Sequence, residues 1–130
     1  MKNYILLFSL LLLFTRCEKP SDCVKSTGPM QSKVYTGLSF TKLLVKQGIA
    51  VVIIQGDETT VEVRSGENLI DDIDVKVEGD YLILSDETSC NWVREYGETT
   101  VYVTAPNLTE IHSKTGLDIV SNGILTYPSL

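Results

Sequence analysis

The residue types that most often perform chemistry in proteins are scarce in this chain. His112 is its single histidine, and neither a Gly-x-Ser-x-Gly elbow nor a Cys/His arrangement surrounds it. Nucleophilic catalysis needs a nucleophile and a base within hydrogen-bond reach, so a lone imidazole without such partners supports no reaction. We therefore expect no enzymatic activity, and the sequence implies no cofactor.

Three carboxylates, Asp71, Asp72 and Asp74, form an acidic cluster. Carboxylate oxygens are ligands that calcium prefers, but an EF-hand loop needs ligands at regular positions and a closing glutamate. Ile70 and Ile73 interrupt the cluster. We interpret it as a solvated turn, and the sequence predicts no metal site.

Aromatic residues gather near an arginine in the second half of the chain. Trp92, Tyr96 and Tyr102 lie close in sequence to Arg94. Flat rings stack on sugars or pack on partner surfaces, so these four residues form a candidate binding surface. The same rings would equally cover the end of a small β core, and both interpretations stay open.

The N-terminus has the pattern of an export signal. Lys2 precedes an apolar run of 11 residues at positions 4–14. A membrane span takes about 20 residues, so this run has the length of a signal-peptide core. Cys17 follows it directly, which resembles a bacterial lipoprotein processing site with Cys17 as the lipidated residue. Arg16 stands where that pattern has a small residue, and an ordinary secretory leader is the alternative.

Cysteine number is consistent with export. If Cys17 carries lipid, Cys23 and Cys90 remain as an even pair in an oxidising compartment. We hypothesise that they form a disulfide that fixes the N-terminal segment to the domain. The chain contains no C-x-x-C motif, so a zinc or redox role is less favoured.

The charge of the chain excludes one class of partner. The formal net charge is -6, and residues 17–130 carry nine basic and 17 acidic residues, a formal charge of -8. Such a surface repels phosphate backbones, so we expect no nucleic-acid binding. Scattered negative charge is typical of a solvated surface, although it also suits cations.

The part of the chain that holds these residues is expected to consist of short strands. Residues 49–54 form an apolar run that fits burial on both faces, and residues 59–64 alternate with Val61 and Val63 inward. Segments 74–77 and 81–84 flank a turn at 78–80, which predicts a hairpin. Residues 68–73 suggest a short helical turn, and residues 99–104 another strand. The predicted fold class is all-β, after a signal-peptide helix.

A repeated segment indicates how these strands are arranged. Residues 40–52 reappear at 108–120 with identical residues at four positions and apolar exchanges at four more. Such repetition is typical of stacked units, so we expect β-solenoid character. His112 aligns with Leu44, which predicts an outward-facing or lightly packed side chain. A shorter echo links 106–108 to 128–130, and we expect the last coil to be incomplete and the domain truncated at the C-terminus.

The strand and turn pattern resembles that of a known family. Its order is similar to the head GIN domain of putative auto-transporter adhesins (DUF2807), which is abundant in exported proteins and lipoproteins of Bacteroidetes-type bacteria. The segments that carry the resemblance are 40–43, 48–57, 61–63, 68–73, 81–84 and 101–111. The resemblance covers about residues 34–130. It implies an all-β fold with solenoid character and no established catalytic residues.

Together these features predict a modular, exported protein. We expect a signal peptide at 1–16, a polar tether at 17–32 and a β domain at 33–130. The function expected is that of a non-enzymatic, outer-membrane-associated lipoprotein of the cell envelope, a candidate adhesin facing the periplasm or the cell surface. Its partners would be the membrane, through the N-terminal lipid, and a glycan or an envelope or host surface protein. The alternative is a periplasmic structural or envelope-sensing protein with no adhesive role.

Overall fold

The computed structural model describes residues 26–88 and 99–130, and this part of the chain is almost entirely β. Its helical structure is a three-residue 3-10 turn at Ile70–Asp72. The all-β prediction is confirmed. The nine strands are β1 (Met30–Thr36), β2 (Lys42–Val45), β3 (Ala50–Gln55), β4 (Thr60–Gly66), β5 (Ile73–Glu78), β6 (Tyr81–Asp86), β7 (Thr100–Ala105), β8 (Glu110–Ser113) and β9 (Ile119–Ser121).

The strands form two mixed sheets. One has five strands in the order β1-β4-β7-β3-β9, and the other has four in the order β5-β6-β2-β8. Pairing is parallel around β2 and β3, each of which lies between two parallel neighbours. Pairing is antiparallel at the β1–β4, β4–β7 and β5–β6 contacts. Parallel strands require crossover connections, and here each crossover leads from one sheet to the other.

The two copies of the repeated segment lie side by side. β2 pairs with β8 through Lys42–Glu110 and Leu44–His112, and β3 pairs with β9 through Val51–Ile119. Partners are 68 residues apart, as in the hydrogen bond from the Thr109 hydroxyl to the Thr41 carbonyl. This separation equals the offset of the sequence repeat. The pairs β6/β7, β2/β3 and β8/β9 therefore stack as three successive layers, each contributing one strand to each sheet.

The core lies between the sheets and follows the two-residue period of the strands. In β7, Val101 and Val103 are fully buried while Tyr102 is half-buried, and in β4 the inward residues are Val61 and Val63, as predicted. Side chains alternate across a strand, so every second residue enters the core. The fully buried apolar residues are Leu43, Val45, Ile49, Val51, Val61, Leu82, Leu84, Val101, Val103, Ala105 and Leu108.

Local predictions are confirmed at the turns and differ from the structure at two positions. The β5–β6 hairpin closes at Gly79, whose φ of +60° is the left-handed conformation that glycine adopts without strain. In β3 only Val51 and Ile53 are buried, because the alternate residues face outward and are covered only in part. β1 begins at Met30, so residues 30–32, assigned to the tether from sequence, belong to the five-stranded sheet.

The predicted signal-peptide helix and most of the tether lie outside the described residues. Within residues 26–88 and 99–130, no helix has the length and apolar character needed to cross a bilayer.

Candidate functional site

The outer face of the four-stranded sheet carries a network of charged and aromatic side chains, and we call it the groove face. Its first cross-strand row runs Glu78, Tyr81, Lys42 and Glu110 from β5 to β8. A residue period of two places the next outward residue of each strand in a second row, and these are Lys76, Ile83, Leu44 and His112. The face therefore has an apolar centre flanked by charges.

Glu110 organises the network. The Tyr81 hydroxyl donates a hydrogen bond of 2.7 Å to Glu110 Oε1, and His112 Nε2 contacts the same oxygen. Lys42 Nζ lies 3.5 Å from the other carboxylate oxygen and 5.2 Å from the centroid of the Tyr81 ring. Tyr81 and His112 meet edge to face with centroids 6.2 Å apart, a favourable arrangement for two rings. One carboxylate thus holds both rings in place.

The pKa values of Glu110 and Tyr81 are both shifted by the hydrogen bond between them. The hydrogen bond from Tyr81 lowers the pKa of Glu110, and the contacts with His112 and Lys42 lower it further, so the carboxylate is ionised at neutral pH. The same bond to Glu110 raises the pKa of Tyr81, which keeps the phenol protonated. A general acid or base works best with a pKa near the working pH. These two groups are shifted away from it, which suits binding better than proton transfer.

A groove of about 250 Å³ lies on this face. Its lining residues are Leu44, Glu78, Tyr81, Ile83, His112 and Lys114. Leu44 and Ile83 are neighbours across β2 and β6 and form its floor. The groove is smaller than the clefts of about 300–1,000 Å³ that enclose small molecules, so its apolar floor and polar rim suit contact with part of a larger partner.

The cations of the described residues collect on the groove face. Residues 26–88 and 99–130 contain six Lys and Arg and 13 Asp and Glu. Four of those six cations lie on the groove face with four carboxylates, and the rest of the described surface has two cations and nine carboxylates. The groove face is therefore close to neutral on a strongly acidic protein. Its charged residues are Lys42, Lys46, Lys76, Lys114, Asp74, Glu78, Glu87 and Glu110.

The structure places His112 as the sequence predicted. It pairs with Leu44 across β2 and β8 and its side chain is 53% exposed, which confirms an outward-facing position. The acidic cluster spans two adjoining elements, since Asp71 and Asp72 lie in the 3-10 turn and Asp74 lies on β5. Within the described ranges no group of three His, Cys, Asp or Glu residues is placed to hold a metal ion.

Of the predicted aromatic surface, the structure describes only Tyr102. It lies on β7, on the outer face of the five-stranded sheet, which we call the Tyr102 face. The Arg64 guanidinium covers its ring at 4.4 Å from the centroid. Arg64 in turn donates to Glu62 at 2.8 and 3.3 Å. The other predicted residues, Trp92, Arg94 and Tyr96, lie outside the described residues, as do Cys17, Cys23 and Cys90.

The Tyr102 face is a second candidate surface. Its central row crosses all five strands through Val34, Glu62, Tyr102, Val52 and Val120. Val34 is 60% exposed and Val120 50% exposed, so apolar side chains stand at both edges of the sheet. This row lies on the opposite sheet from the groove, and its tyrosine already stacks with an arginine.

Sequence reasoning missed the groove because its residues come from four strands. Tyr81, Lys42 and Glu110 are far apart in the chain and are ordinary surface residues when each is taken alone. The repeat contained a usable signal, since Lys42 aligns with Glu110 and Leu44 with His112. Aligned positions in a stacked repeat become cross-strand neighbours, so the repeat by itself pairs Lys42 with Glu110.

Comparisons with solved structures show the same fold. A "putative adhesin" from Parabacteroides merdae superposes with a TM-score of 0.63 and 16% identity, over 73% of this chain and 39% of that one. A "putative adhesin" from Bacteroides fragilis superposes with a TM-score of 0.58 and 19% identity, over 71% of this chain and 41% of that one. A "putative lipid binding protein" from Parabacteroides distasonis superposes with a TM-score of 0.51 and 16% identity, over 65% of this chain and 37% of that one. The chain spans about two-fifths of the length of these proteins. A search of curated proteins finds no match.

The family assignment follows from a match over most of the chain. The family model described as "Putative auto-transporter adhesin, head GIN domain" matches residues 39–130. This range contains eight of the nine strands and every residue of the groove. The resemblance inferred from sequence is thereby confirmed: the chain belongs to the head GIN domain family.

Proposed function

We propose that the chain is a non-enzymatic lipoprotein of the cell envelope whose β domain binds a partner at the groove face. The family description and the solved neighbours point to adhesion as the general role. The groove, with its apolar floor and fixed rings, is the observation that carries the proposal.

The groove face is organised before any partner arrives. Glu110 holds Tyr81 and His112 through short contacts, so their rings lose little conformational freedom on binding. Fixing side chains in advance lowers the entropic cost of association. Leu44 and Ile83 supply apolar area between the rings, and such a mixture of aromatic anchors and polar rim is typical of binding surfaces.

The N-terminus would attach the chain to the outer membrane. Cys17 would carry the lipid that holds the chain to the outer membrane, with the residues that follow as a tether. A single acyl chain binds a membrane only marginally, so stable anchoring needs more than one chain. A Cys23–Cys90 disulfide would fix the start of the domain. Intact mass of the native protein, with and without reduction, tests both features, because lipidation adds acyl mass and reduction adds two hydrogens.

Surface exposure separates an adhesin from a periplasmic structural or sensing protein. Protease treatment of whole cells should remove the chain if it faces outward. Retention of the chain after shaving, with loss only after the outer membrane is opened, would favour the periplasmic alternative.

Adhesion itself is tested with cells that display the chain on their surface, by measuring how many of them attach to a cultured epithelial monolayer. His112→Ala should reduce adhesion because it removes one wall of the groove, and Lys33→Ala on β1 is the matched control on the other sheet. Hydrolase activity that disappears in His112→Ala would contradict the non-enzymatic part. Equal adhesion of both variants and the parent chain would contradict the groove as the contact surface.

A further inference from the structure

Two adjacent cations lie at one end of the groove face, where Lys114 lines the groove and Lys46 stands beside it. Lys46 and Lys114 directly follow the last paired residues of β2 and β8, so they are adjacent across the two strands. Adjacent strands lie about 4.8 Å apart, and like charges at this spacing disfavour each other. Within the described ranges neither lysine has an ion-pair partner, although carboxylates outnumber cations there by about two to one. An anion placed between them would relieve this repulsion.

The opposite end of the groove presents a hydrogen-bond acceptor. Glu78 stands on β5 with its side chain 63% exposed, and Lys76 Nζ contacts one of its oxygens at 3.1 Å. The other carboxylate oxygen accepts no hydrogen bond from any described residue. Ionised carboxylates are acceptors only, so a ligand group that displaces water from this oxygen must be a donor, such as a hydroxyl.

The separation of the two ends sets the length of the ligand. Glu78 lies on β5 and Lys114 follows β8, three strand spacings across the sheet and four residues further along the strands. These offsets of about 14 Å and about 13 Å combine to a separation of about 20 Å. A single sugar ring is too short to reach both ends, and several linked rings are required. The apolar floor and the edges of Tyr81 and His112 lie along this path and offer contacts to the C–H faces of such rings.

We propose that the groove binds an acidic oligosaccharide, with a uronic-acid carboxylate between Lys46 and Lys114 and hydroxyl groups donating to Glu78. This inference rests on the proposed binding function of the groove face. A polyglutamate peptide would satisfy the lysines, but it carries a carboxylate on every residue and would place like charge against Glu78. A neutral glycan would satisfy Glu78 and leave the lysine pair unmatched. An acidic glycan matches both ends.

Calorimetric titration of the exported chain tests the proposal. The probe is a tetrasaccharide of alternating glucuronate and N-acetylglucosamine, compared with a neutral N-acetylglucosamine tetrasaccharide of equal length and with a tetraglutamate peptide. We expect the acidic tetrasaccharide to bind about tenfold more tightly than either comparison, since its carboxylate forms ion pairs with two exposed lysines and each such pair is worth about threefold in Kd, roughly 0.7 kcal/mol. Binding should weaken as salt is raised.

Variants locate the site. Lys114→Ala should weaken the acidic tetrasaccharide about threefold, whereas Lys114→Arg should retain most of the affinity and Lys33→Ala all of it. Equal binding of the neutral tetrasaccharide, equal or tighter binding of the peptide, or an unchanged Kd in Lys114→Ala would overturn the inference.

Failure of this inference can be told apart from failure of the proposed function. If no tetrasaccharide binds while epithelial adhesion persists and depends on His112, the acidic glycan is wrong and the groove remains the contact surface. If adhesion is also independent of His112, both proposals are wrong.

Discussion

Two neighbouring leucines on β2 provide a sharp test of the sheet register. Leu43 is fully buried between the sheets, and Leu44 faces the groove as part of its floor. A shift of the strand by one residue would turn Leu44 into the core and Leu43 toward the groove. Replacing each in turn by alanine removes the same atoms from opposite sides of the sheet.

The expected magnitudes differ by a factor of about three. Leu43→Ala opens a cavity in a packed core, where such changes cost about 2–5 kcal/mol, and we expect about 3 kcal/mol. For a domain of about 100 residues this lowers Tm by about 12–24 °C. Leu44 is only half-buried, so its replacement should cost about 1 kcal/mol and lower Tm by about 4–8 °C.

Urea unfolding of the purified chain measures both values, with thermal unfolding as a second probe. The slope with denaturant should stay constant, because neither variant changes the surface exposed on unfolding by much. A Leu44→Ala cost equal to or larger than that of Leu43→Ala would refute the register and, with it, the placement of Leu44 in the groove floor.

Three further predictions concern backbone approach, a buried hydrogen bond and a carboxylate. Gly66→Ala should destabilise the chain by about 2 kcal/mol or more, because an added Cβ would lie 2.0 Å from the Thr27 carbonyl oxygen. Ser65→Ala should cost about 1–3 kcal/mol, since it leaves the buried Thr99 hydroxyl without its 2.7 Å partner. Glu110 has a lowered pKa, so its contribution to stability is present above the ordinary value of 4.5 and is lost as pH falls through the folded-state pKa.

Each of these has a matched control. Gly116→Ala meets no atom within 4 Å and should change stability little in the same urea experiment. A Ser65→Ala/Thr99→Val double variant should recover part of the loss, and full additivity would contradict the hydrogen bond. Thermal unfolding between pH 3 and pH 7 should show a shallower acid loss in Glu110→Gln than in the parent chain, and identical profiles would contradict the network at Glu110.

Much of the fold could be predicted because local patterns and the repeat agree. The alternation around Val61 and Val63 and the glycine turn at Gly79 each specify a strand or a hairpin without reference to the rest of the chain. The offset of 68 residues between the repeat copies also equals the register of the β2–β8 and β3–β9 pairs. A stacked repeat places equivalent residues side by side, so sequence similarity translates directly into pairing.

Other pairings carry no such signal. β6 pairs with β2 and β7 with β3 at separations that no sequence similarity marks. Nothing local distinguishes Tyr81 from any tyrosine at the start of a strand, and its partner Glu110 is 29 residues away. The groove therefore depends on strand order, which hydrophobic alternation does not encode. Tyr102 is a candidate from the sequence because it is aromatic, but its sequence context does not indicate which sheet holds it.

Partner binding at the groove face is tested most directly by substituting the two half-buried tyrosines, Tyr81 on one sheet and Tyr102 on the other. We would measure adhesion of cells displaying Tyr81→Ala or Tyr102→Ala to the epithelial monolayer, after confirming equal surface display and comparable Tm. We predict that Tyr81→Ala loses most adhesion and that Tyr102→Ala retains it. Loss in Tyr102→Ala with full adhesion of Tyr81→Ala would contradict binding at the groove and place the contact on the Tyr102 face.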